Sequence, residues 1–73
     1  MTNGEQVTGA RDEHYDLVSV LYHTMQEAST LQTYIEDARS AGDDDLAGFF
    51  EELQQQDRER TERAKQLLGS KLS

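Results

Sequence analysis

Apolar residues recur at steps of three and four along two stretches of this chain. Leu17 or Val18, Leu21, Met25, Ala28, Leu31, Ile35 and Ala38 form the first ladder. That spacing returns to one face of a 3.6-residue helix. Leu46, Phe49, Phe50 and Leu53 begin a second ladder, which Ala64, Leu67 and Leu68 complete. Between the ladders, Gly42 is a stop signal, because glycine takes the left-handed conformation cheaply. The acids Asp43, Asp44 and Asp45 come next and suit the cap and first turn of a new helix. A triple acid also suits calcium, but no EF-hand spacing accompanies it. The pattern predicts a first helix over about 11–41 and a second over about 44–68. Gly69 is the expected cap of the second helix, with Ser70 to Ser73 fraying beyond it. Residues 1–10 are polar and unpatterned and read as a disordered tail.

A turn this short forces the two helices antiparallel. With equal rise in both, residue n of the first helix lies level with roughly residue 85 − n of the second. The second ladder is broken by Gln54-Gln55-Gln56-Asp57-Arg58-Glu59-Arg60-Thr61. At 100° per residue, Asp57 and Arg60 fall inside the apolar stripe, one turn apart. The register sets this break level with Glu27, and Tyr34 level with Glu51. Glu27, Asp57 and Arg60 are therefore expected to form a buried polar cluster.

Composition narrows the function more than the fold. Seventy-three residues make one small domain, which seldom stabilises itself without disulfides, metal or self-association. There is no cysteine, hence no disulfide and no thiolate chemistry. The formal charge of −8 opposes nucleic acid and anionic membranes, which need a basic face. No apolar run reaches the length of a membrane span, and a cytoplasmic location is the expectation. The serines have no histidine and aspartate at useful spacing, so nucleophilic catalysis is not expected. His14 sits at the edge of its stripe and reads as a packing or capping residue. Tyr15 and Tyr22, seven apart on the face away from the main stripe, fit an oligomer surface or incidental exposure.

Glu27, Thr30, Tyr34 and Ala38, then a short acidic turn, then Leu46, Phe50, Leu53, Asp57 and Arg60, resemble half of a ferritin-like or rubrerythrin-like bundle. Members of that family carry Glu-x-x-Ala-x-x-x-Tyr on one helix and Glu-x-x-His on the next, and these residues bind two metal ions in the core. Single-hairpin members, the encapsulated ferritins, complete the bundle and its metal site from two chains. The resemblance implies an all-α fold, an antiparallel hairpin dimerising into a four-helix bundle. It places Glu27 at the first-helix ligand and Tyr34 at the family's tyrosine. Asp57 and Arg60 stand at the Glu-x-x-His positions, and Thr30 replaces the alanine. A guanidinium has no lone pair to give, so Arg60 cannot ligate a cation. It can instead hydrogen-bond both acids from the position of the missing metal.

The expected function is that of a self-associating structural or interaction module with a degenerate metal site, no cofactor and no enzymatic activity. The alternative is an inter-subunit iron-binding or ferroxidase-like protein, its ligands being Glu27, Asp57 and the i,i+4 partner His23.

Overall fold

The computed structural model describes residues 13–72. The expected tail, and the N-cap expected between Thr8 and Asp12, lie outside the described residues. Among the described residues there are two helices, α1 over Glu13–Ser40 and α2 over Asp44–Leu72. Their charges match the helix dipole, with Glu13 and Asp16 in the first turn of α1 and Arg39 in its last. In α2, Asp44 and Asp45 open the helix and Lys71 lies in its last turn. Among the described residues no helix is long and apolar enough to cross a membrane.

The turn is built from two interlocked caps. Gly42 has φ of 78°, the left-handed conformation that ends α1. Asp43 N–H donates to Ala38 O at 2.9 Å and Gly42 N–H to Arg39 O at 2.9 Å. These are the two bonds of a Schellman motif. Asp43 then caps α2, its Oδ1 accepting from Leu46 N–H at 3.1 Å. One residue thus closes one helix and opens the next, which makes the hairpin this tight.

Gly69 does not end α2; the helix runs on to Leu72. A glycine inside a helix costs about 1 kcal/mol. With no proline behind it and three further residues in register, that cost is too small to turn the chain.

The contact between the helices is a heptad seam. Leu17, Leu21, Thr24, Ala28, Leu31, Ile35 and Ala38 line it in α1, all buried or half-buried. Ala47, Phe50, Gln54, Asp57, Thr61, Ala64 and Leu68 line it in α2. Both series alternate steps of three and four, the spacing of knobs-into-holes packing. Thr24 thus takes the inward place expected of Met25, which is 47% exposed. The core proper is Leu31, Ile35, Ala38, Ala47 and Ala64. The three alanines let the helices approach closely.

In α2 this seam is not the apolar stripe. Leu46, Leu53, Arg60 and Leu67 centre the stripe, whereas the buried line runs through Gln54, Asp57 and Thr61. At 100° per residue the two lines differ by about 80°. The hairpin therefore buries one edge of the α2 stripe and leaves Leu46, Phe49 and Leu67 more than 40% exposed.

The register matches the equal-rise expectation to within one residue where side chains meet across the centre. Tyr34 packs on Phe50, ring centroids 5.7 Å apart, and Glu27 meets Asp57. Glu51, expected beside Tyr34, instead pairs with Arg39.

Candidate functional site: an acid pair and an arginine on the apolar flank

The two long sides of the hairpin differ in chemistry. On one side Gln54 ties the helices together. Its Nε2 donates to Ala28 O at 3.0 Å and to Gln32 Oε1 at 3.1 Å. Its Oε1 accepts from Arg58 at 3.1 Å. Sequence reasoning assigned Gln54 no role. The signal was its place in the heptad series Ala47, Phe50, Gln54, Asp57, a series that a search for apolar residues alone passes over.

The other side carries Val20, His23, Glu27, Thr30 and Tyr34 from α1, again at steps of three and four. Beside them lie Leu46, Phe49, Leu53, Arg60 and Leu67 of α2. Tyr34, Ala41, Leu46 and Phe50 line a shallow groove near the turn. His23, Glu27, Thr30 and Tyr34 line a second along α1.

Asp57 stands at the centre of this side and is 1% exposed, with Ile35 the most enclosed of the larger side chains. Its Oδ1 accepts from the Arg60 guanidinium one turn along the same helix. Among the described residues its buried Oδ2 finds no donor while Glu27 is ionised. The Glu27 carboxyl reaches Asp57 from α1 and is raised above the ordinary carboxylate value. The largest cause is the hydrogen bond with Asp57. Repulsion from its charge and loss of water add to this, and Arg60 opposes it. Two ionised carboxylates are acceptors with nothing between them, so a proton on Glu27 is the donor that the pair can share.

The three residues expected in a buried cluster are thus brought together but not equally enclosed. Asp57 is buried, Glu27 is exposed, and the Arg60 side chain is 57% exposed. Arg60 belongs to the displaced apolar stripe, so it stands on the outward flank rather than between the helices. His23 is exposed on the same flank, its ring against Tyr22 at 5.3 Å. Tyr15 and Tyr22 are exposed on the back of α1, and His14 is exposed near its start.

Among the described residues, no group of three His, Cys, Asp or Glu side chains gathers in a way that could hold a metal ion. The donor chemistry is also a poor fit to a di-iron centre. Each hairpin offers two carboxylates, one already engaged by a guanidinium, which has no lone pair to give a cation. Comparison with protein-family models, with curated proteins and with solved structures finds no match.

Proposed function

We propose that two copies of the hairpin pair through the Val20–Glu27–Tyr34 and Leu46–Phe49–Leu67 flank into a four-helix bundle of the ferritin-like type. In this reading the chain is a self-associating structural module rather than an enzyme. The observation that carries it is the rotation of α2. A hairpin made to stand alone would point the middle of its apolar stripe at its neighbour. Here the middle points between α1 and the outside, the direction from which a second pair of helices arrives in a bundle. Covering that flank removes Phe49, which is 53% exposed, Val20, which is 55% exposed, and their neighbours from water. Each such side chain contributes roughly 0.8–1.5 kcal/mol when half its surface is covered. The ferritin-like resemblance supports the same arrangement independently.

Sedimentation at micromolar concentration tests it. The expected species is a dimer or higher oligomer, and Phe49→Glu should drive it to monomer while keeping the helical circular dichroism of the hairpin. A wild type that stays monomeric at about 100 μM, which puts its dimer dissociation constant above roughly that value, refutes the bundle.

A further inference from the structure

We infer that Arg60 acts in trans: in the paired bundle its guanidinium bonds Glu27 of the second copy, and the two-fold repeats the contact. This inference rests on the self-association reading. It comes from the charges on the flank that must be covered. Each hairpin presents Glu27 and Arg60 in the middle of an apolar side, between Val20 and Tyr34 on α1 and between Leu53 and Leu67 on α2, with Asp57 buried beneath them. Covering that side takes Glu27 out of water, where Asp57 already is, and this is costly unless each carboxylate finds a donor. Within one chain Arg60 serves Asp57 Oδ1, while Glu27 faces another acceptor. A guanidinium carries five N–H donors in a rigid fork, so one bond to Asp57 leaves capacity for a second carboxylate. Its 57% exposure points that capacity outward, toward the incoming copy.

In a two-fold interface any contact of residue i with residue j is matched by j with i. An acid and a base at the centre of the same flank are therefore self-complementary. Two arginines then hold the four carboxylates that would otherwise need metal. The charges also select the partner, since a mispaired register sets acid on acid or arginine on arginine.

Charge reversal tests the inference by dimer dissociation. Glu27→Arg alone places arginine opposite arginine, and Arg60→Glu alone places glutamate opposite glutamate. Each should weaken the homodimer by at least about tenfold. Mixing the two variants should restore dimerisation, because the mixed dimer has one arginine–glutamate pair at each end of the two-fold. Recovery on mixing supports the trans contact. Homodimers as tight as wild type overturn it, and so does loss that only the double variant within one chain repairs. If Arg60→Glu fails to fold by circular dichroism, Glu27→Gln and Arg60→Gln are mixed with donor and acceptor dyes. Their mixed dimer keeps one native contact and should exceed the statistical half. A statistical mixture overturns the inference. A monomeric wild type instead removes the bundle itself, so the two failures are distinguishable.

Discussion

Changing Asp57 to asparagine should stabilise the protein. Asp57 is 1% exposed and, with Glu27 ionised, its Oδ2 has no donor among the described residues. A buried polar atom without a partner costs about 1–3 kcal/mol, and a charged one more. Asparagine keeps the shape, removes the charge and puts an amide N–H in place of one carboxylate oxygen, a donor that the neighbouring Glu27 carboxylate can accept. Against this, the Arg60 bond loses its charge assistance. The Arg60 side chain is 57% exposed, so that pair is screened and contributes roughly 0.5–1 kcal/mol. The difference leaves Asp57→Asn more stable by about 1 kcal/mol at neutral pH. Urea unfolding at fixed protein concentration measures it. The pH dependence supplies a second arm. A carboxyl whose folded pKa is raised binds more protons folded than unfolded. Glu27 therefore takes stability away as pH rises from its ordinary value of 4.5 through its folded value. In Asp57→Asn the main cause of that rise is gone. The fall with pH should shrink, and the advantage of the variant should be largest on the alkaline side of the window. A Glu27 titration followed by carboxyl NMR should move down toward the ordinary value. If the variant is less stable than wild type at pH 7 and Glu27 does not move, the orphaned-carboxylate account fails, and the Arg60–Asp57 bond dominates instead.

The same geometry sets two further outcomes. Gln54→Ala should cost about 1–2 kcal/mol, because it removes two donated bonds between the helices at a buried site; a change within ~0.3 kcal/mol in thermal unfolding would show those bonds exchanging freely with water. Arg60→His puts an imidazole three residues after Asp57, the acid-x-x-His spacing of a metal-ligand pair, and should raise Co(II) or Zn(II) affinity above that of wild type, read by calorimetry. Stoichiometric iron on wild type that disappears in Glu27→Ala would contradict the donor-set argument and favour the iron-binding alternative.

The local features were legible in the sequence because they depend on neighbours along the chain. Gly42 before Asp43 marks a turn through backbone sterics and capping chemistry, and both act within a few residues. Steps of three and four mark helices for the same reason. The register comes from those two facts, since equal rise on both sides of a fixed turn sets Glu27 against Asp57 without further information. Rotation of α2 about its own axis is a different kind of quantity. The stripe centred on Leu53 and Arg60 is the direction of greatest apolar content, and a sequence pattern points there. Close approach of two helices rewards small side chains at the seam, so Ala47, Ala64 and Thr61 turn inward and carry Gln54 and Asp57 with them. That rotation of about 80° buries Asp57, exposes Arg60 and leaves Phe49 outside. Whether an acid is enclosed or wet turns on how the two helices pack against each other, and one helix's periodicity holds no record of its neighbour. Gly69 shows the same limit near the end of α2. A glycine stops a helix when the residues after it must turn, and Ser70, Lys71 and Leu72 continue the helix instead.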